Sequence, residues 1–202
     1  NRSLLDQLLE ARGLISRGEK NDFLNLLAFS YWFKKLPKNL LVSLKEARDL
    51  IKEFVSEGKP IVIHGDYDAD GICATAILYK TLKQDLGHDQ TFGFIPNRFE
   101  HGYGLSEASI KASLDSVGNH YNDEVLFITV DTGITAIEEV KQLKELGHKV
   151  IVTDHHQKLK ESPKADAVVW YDQVVGATVA YLLAVSLGHK NGDLIAYCCV
   201  AT

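Results

Sequence analysis

The sequence predicts an α/β protein: a mostly parallel sheet with helices on both faces, preceded by a helical prefix over residues 1–42. Three observations predict it. From Pro60 onward, short β-branched runs alternate with helical segments of about ten to fifteen residues, the pattern of βαβ units. The runs are nearly continuous in apolar residues, as strands covered on both faces require. Asp and His residues gather where those runs end, and open parallel sheets bind ligands beyond the carboxyl ends of their strands.

The elements follow in order. Leu4, Leu5, Leu8 and Leu9 fall at helical spacing, and Phe23 to Phe33 is rich in Leu and aromatics, a core or docking surface. Ser43-Leu44-Lys45-Glu46 is a capping-box pattern that starts a helix ended by Gly58, and it opens the second domain, 43–202. Then come strand Ile61–His64, helix Ile72–Leu86, strand Thr91–Ile95, a loop over 96–104 and helix Ser106–Ser116. Strand Glu124–Val130 leads to a second capping box at Thr135-Ala136-Ile137-Glu138. Strands Lys149–Thr153 and Ala167–Trp170, helix Val174–Leu187 and an apolar helix over Asp193–Ala201 complete the chain.

Composition narrows the class. The chain has 202 residues, 46% hydrophobic and 24% charged, ordinary for a soluble globular protein. No apolar run is long enough to span a bilayer, so a membrane role is not expected. The N-terminus lacks the apolar core of a signal peptide. Three cysteines without a C-x-x-C pair read as reduced thiols in a cytoplasmic protein, Cys198 and Cys199 as core. A net charge of −5 argues against a generally basic nucleic-acid surface, although part of the excess sits in one acidic cluster.

That cluster carries the chemistry. The first strand ends in His64-Gly65-Asp66-Tyr67-Asp68-Ala69-Asp70-Gly71, the third in Asp131-Thr132-Gly133, the fourth in Asp154-His155-His156. Carboxylates this close repel one another unless a cation sits among them. Alternate residues leaving a strand can face one cavity, which would gather Asp66, Asp68 and Asp70. Carboxylates with imidazoles suit Mn²⁺ or Mg²⁺, where thiolates would favour zinc. Two ions about 3.5–4 Å apart would activate water and clamp the departing oxygen of a phosphoryl transfer, with Asp131 the candidate bridge. Each motif alone has a plainer reading: Asp131 as a helix N-cap, His155 as a loop histidine, an Asp at a strand end as part of a phospho-accepting receiver. The conjunction of all three, with the His-His pair, favours phosphodiester hydrolysis.

At these residues the chain resembles the DHH phosphoesterase superfamily, and most of all its single-strand-specific 5′→3′ DNA exonuclease branch. The branch is favoured by the Gly-Asp-Tyr-Asp-Ala-Asp-Gly form of the first motif, by Pro96-Asn97-Arg98 with Gly102-Tyr103-Gly104-Leu105, and by Gly176-Ala177-Thr178-Val179-Ala180. The resemblance implies that His64 and Asp68 bind one metal, Asp70 and His155 the other, and that Asp131 bridges them. It implies that Asp154 orients the site and His156 contacts the scissile phosphate, with Asp66 less directly involved. Arg98 would hold phosphate through bidentate bonds. Tyr103, between two glycines, would either stack on a base or pack within its own loop, and the Gly176 amide would face a phosphate. Implied partners are single-stranded DNA, a single-strand-binding protein and a helicase. The family carries a fourth motif with a further metal-ligand Asp, and a DHHA1 domain. The sequence stops at Thr202 before the first and shows nothing like the second, so it reads as an N-terminal catalytic core. Its second metal should bind weakly and its isolated activity should be low. Two rivals stand beside this reading: a phosphodiesterase for oligonucleotides or cyclic dinucleotides, and a non-catalytic DHH module that binds DNA or scaffolds other proteins.

Overall fold

A computed structural model describes residues 4–11, 13, 16, 18, 33, 35–102, 104–118, 124–190 and 192–202. It divides into two units, Asn1–Leu41 and Val42–Thr202. In the first unit, Leu4–Ala11 forms helix α1. The aromatic-rich stretch from Phe23 lies outside the described residues apart from Phe33.

Helix α2 runs Lys38–Glu57, so it opens five residues before the expected capping box. Pro37 is the reason. Its fixed φ suits a helix start, and its carbonyl accepts from the Leu41 amide at 3.1 Å. Leu44, Ala47, Ile51 and Phe54, spaced three and four apart, are buried.

The described strands are β1 (Ile61–His64), β2 (Thr91–Phe94), β3 (Leu126–Val130), β4 (Lys149–Asp154) and β5 (Ala167–Trp170). They form one sheet in the order β2-β1-β3-β4-β5, every pair parallel. β1 and β3, in the middle, are buried along their whole length. β2, at an edge, is only partly covered.

Helices cover both faces. On one, α5 (Glu107–Asp115) and α6 (Ile137–Glu145) bury Ile110, Leu114, Val140 and Leu143 against Val62, Phe127, Val150 and Val152. Each such side chain contributes roughly 1.5–3 kcal/mol on leaving water. On the other face, α3 (Ala69–Lys80) and α7 (Gly176–Leu187) pack against each other and on the sheet, and α8 (Ile195–Ala201) lies against both. A short helix α4 (Arg98–His101) occupies the expected loop, capped by Asn97, whose side chain accepts from the Phe99 amide at 3.0 Å.

Three boundaries differ from expectation for physical reasons. α3 begins at Ala69, not Ile72, because Asp68 caps it by accepting from the Gly71 amide at 3.0 Å. It then widens into a π-helical turn over Thr81–Asp85. α6 begins at Ile137 without a side-chain cap, so Thr135 does not close the predicted box; the Ala136 amide bonds back to the Gly133 carbonyl at 3.1 Å instead. Of the adjacent cysteines only Cys198 is core; Cys199 is exposed. No helix among the described residues is long and apolar enough to cross a membrane.

Candidate metal centre

β1, β3 and β4 are consecutive in the sheet and parallel, so their carboxyl ends lie side by side. His64 stands opposite Thr129, and Val130 opposite Thr153. The first motif therefore leaves β1 beside the Asp131 turn, which leaves β3 beside Asp154-His155-His156.

Two groups of ligand atoms result, each with its members within 4.8 Å of one another: Asp66, Asp68 and Asp131, and Asp131, His155 and His156. Asp131 belongs to both. Its backbone sits at φ 58°, the one non-glycine with positive φ among the described residues, a conformation that Asp tolerates better than most side chains. The His155 Nε2 lies 3.2 Å from Asp131 Oδ1 and 3.5 Å from Asp70 Oδ2.

Asp154 holds the fourth-strand motif together. Its Oδ1 accepts from the amides of His155 at 2.7 Å and His156 at 3.1 Å, and its Oδ2 accepts from the Ile134 amide at 2.9 Å. Oδ1 also meets His156 Nδ1 at 2.7 Å. The His155 and His156 rings pack with centroids 4.6 Å apart.

The electrostatics follow from burial and these contacts. Burial pushes the Asp131 carboxyl up to about 6, against the pull of the His155 imidazole. Burial likewise raises Asp66. Burial acts the same way on Asp154, but the His156 ring and the amides of His156 and Ile134 outweigh it, so Asp154 lies below the usual range. Its partner His156 is lifted to about 9 by the Asp154 bond, and His155 is raised mainly by Asp131. His64 is the opposite case: burial drives it down to about 4.

His64 is fully buried, between the rings of Phe94 and Phe127 at 5.6 Å each, and among the described residues neither ring nitrogen meets a hydrogen-bond partner. A buried neutral imidazole normally finds a partner. Neither ligand group includes His64, expected to bind a metal with Asp68; the oxygen-rich donor set of the two groups fits a divalent cation without it.

The remaining predicted residues separate. Asp70 turns to the amino end of α7, where its oxygens accept from the Gly176 amide at 2.8 Å and the Ala177 amide at 2.6 Å. The Gly176 amide, expected to face a phosphate, is thus engaged by a carboxylate of the chain itself. Gly176 matters in another way: a Cβ there would collide with the Asp131 carboxylate. Arg98 lies on α4 with its guanidinium 5.4 Å from the centre of the Tyr67 ring, the residue between Asp66 and Asp68. Tyr103 lies outside the described residues. The seat of Asp70 on α7 was missed because it joins residues more than a hundred positions apart.

A doubly covered parallel sheet gathers carboxylates and imidazoles at three adjacent strand ends, the donor set of a divalent-metal site. The chain belongs to the DHH family: the signature of the DHH family, N-terminal domain, matches residues 60–201. Among curated proteins it is similar to the single-stranded-DNA-specific exonuclease RecJ of Bacillus subtilis, 39% identical over 169 residues, and to RecJ of Thermus thermophilus, 41% identical over 158 residues. Those matches take in 79% and 75% of this chain but 20% and 22% of the relatives, so the chain spans about a fifth of their length. Among solved structures, an exonuclease RecJ bound to manganese matches with TM-score 0.62 and 41% identity, over 72% of this chain and 37% of that one.

Proposed function

We propose that this chain carries the catalytic core of a metal-dependent exonuclease that degrades single-stranded DNA 5′→3′ and releases 5′-mononucleotides in repair and recombination. The observation that carries the reading is the sharing of Asp131 between two groups of ligand atoms. The similarity to RecJ exonucleases, one of them bound to manganese, supports it.

In this reading Asp131 bridges two sites. Asp66 and Asp68 belong to one side, at the end of the strand that His64 closes. His155 belongs to the other, with the Asp70 carboxylate 3.5 Å from its Nε2. Mn²⁺ or Mg²⁺ held there supplies Lewis acidity, making water nucleophilic at neutral pH and offsetting the charge that gathers on phosphoryl oxygens.

The chain's own groups do the rest. His156, lifted to about 9, is a cation at neutral pH. Its Nδ1 is taken up by Asp154, which leaves Nε2–H to donate to an oxygen of the scissile phosphate. Asp154 positions that ring and the two amides of the loop at once. Arg98, its guanidinium over the Tyr67 ring, would hold a neighbouring phosphate. A single-strand-binding protein and a helicase are the partners this role implies.

The test is Mn²⁺-dependent release of nucleotides from a 5′-phosphorylated single strand by the full-length protein. Mononucleotides from the 5′ end, with duplex of the same sequence spared, are the expected result. A strong preference for dinucleotides over longer strands would instead identify an oligonucleotide phosphodiesterase. An inability to bind Mn²⁺ would identify a non-catalytic module.

A further inference from the structure

The loop after β4 carries His156, and its donors there are taken by the Asp154 carboxylate. Between His155 and Lys160 the carbonyl of His156 is the one backbone acceptor that meets a donor among the described residues. The donor is the indole Nε1–H of Trp170, at 2.7 Å. Trp170 is the last residue of β5, at the edge of the sheet, and stands opposite Asp154 in the strand register. The next residue, Tyr171, donates its amide to the Asp154 carbonyl at 3.2 Å. Over the face of the indole lies the Lys158 ammonium, 4.0 Å from the ring centre. The loop therefore folds around one side chain, bonded to its edge at His156 and seated on its face at Lys158.

We propose that Trp170 is a positioning residue for His156, a role that rests on the reading of His156 as the phosphate contact. Asp154 fixes the His156 ring at Nδ1 and its amide, and Trp170 fixes its carbonyl. Without the indole the peptide after His156 can swing about the Asp154 bonds; with both of its ends held, Nε2 keeps a single direction. Tryptophan suits the task because its indole is a donor only, rigid, and long enough to reach across from the neighbouring strand. Its face also attracts the lysine cation, which closes the loop from the other side. Reacting groups displaced by about 1 Å can lose a hundredfold in rate, so a second anchor on this loop has a kinetic consequence.

Trp170→Phe tests the proposal, because it removes the N–H and keeps a smaller aromatic face for Lys158. Two measurements are made on the full-length protein. Hydrogen–deuterium exchange over residues 155–160 should be faster in Trp170→Phe, with the exchange of β3 and β4 unchanged. In nucleotide release from a single strand, kcat should fall about ten- to a hundredfold with KM held within about twofold. In a His156→Ala background the same change should cost nothing further, since Trp170 acts through that residue. Unaltered exchange over 155–160 would overturn the proposal, as would an equal penalty with and without His156. A wild-type protein that released no nucleotides would refute the exonuclease reading, and the exchange measurement would still decide whether Trp170 holds the loop.

Discussion

Gly176 and Asp131 occupy space that only one side chain can fill: a Cβ on Gly176 would lie 2.6 Å from the Asp131 Cγ. The amino end of α7 thus comes close enough to wall in the carboxylate shared by both ligand groups, and brings the Asp70 carboxylate with it through the Gly176 and Ala177 amides. Gly176→Ala should push these apart. We expect a loss of about 1–3 kcal/mol of stability and a Mn²⁺ affinity reduced at least tenfold. Thermal unfolding without metal and calorimetric Mn²⁺ titration measure the two separately; unchanged Mn²⁺ binding would mean that α7 does not shape the site.

Asp131 itself is a destabilising charge without its cation. Its folded-state pKa is raised from 3.8 to about 6, so the stability of the metal-free protein associated with this group is full below pH 3.8 and is lost as pH rises through about 6. Asp131→Asn removes the charge and keeps the shape, at a backbone angle asparagine also tolerates. We expect metal-free melting at pH 7 to be unchanged or higher, by on the order of 1–3 kcal/mol. Added Mn²⁺ should raise the melting temperature of the parent but not of the variant, and metal-dependent cleavage should be abolished. A variant that still cleaves would refute the bridging role.

How much of this was legible in the residues themselves has a physical limit. The sheet, and the convergence of three strand ends, followed from apolar runs broken by Asp and His, because side-chain patterning and parallel topology are nearly sufficient to place strand ends together. The three alternate acids were expected to share one cavity. Asp66 and Asp68 group with Asp131, and Asp70, 3.5 Å from His155, is seated on the amides of α7 as well. That seat depends on a packing contact with a helix far along the chain, which local spacing does not encode. The early start of α2 was readable in Pro37, whose signal the stronger-looking Ser43 box concealed. The Trp170 bond to His156 had no sequence signal, since a tryptophan ending an edge strand ordinarily reads as packing.

The pair Asp154–His156 sets a pH window. Asp154 lies below its usual range when folded, so its contribution is present above the unfolded value of 3.8 and is lost as pH falls through the lower folded value. His156 is raised from 6.5 to about 9, so its contribution is full below 6.5 and is lost as pH rises through about 9. Both hold between about pH 4 and 6.5. Asp131 removes stability over the same range, so the plateau should appear in the metal-free melting temperature of Asp131→Asn, and adding Asp154→Asn should flatten its flanks. In Asp154→Ala three amides and an imidazole lose their acceptor, one of the amides deep in the Asp131 turn. We expect about 2–4 kcal/mol of destabilisation. A pH profile identical in Asp131→Asn with and without Asp154→Asn would show that the pair contributes nothing.

Arg98 and Tyr67 give the last prediction. The guanidinium lies 5.4 Å from the Tyr67 ring centre, and Tyr67 sits between two acids of the Asp131 cluster. Arg98 is exposed, so its energetic value to the fold is small, roughly 0.5–1 kcal/mol for an exposed cation over a ring. Its value to a phosphate is larger, because a steadied guanidinium loses less freedom on binding than a mobile one. Arg98→Lys keeps the charge but loses the planar fork that binds phosphate in two places. It should raise KM for single strands about tenfold and leave melting unchanged. Tyr67→Leu should reproduce the KM effect with Arg98 intact, since it removes the surface on which the arginine rests. If Arg98→Lys alters melting and not KM, the arginine belongs to the fold and another cation meets the strand.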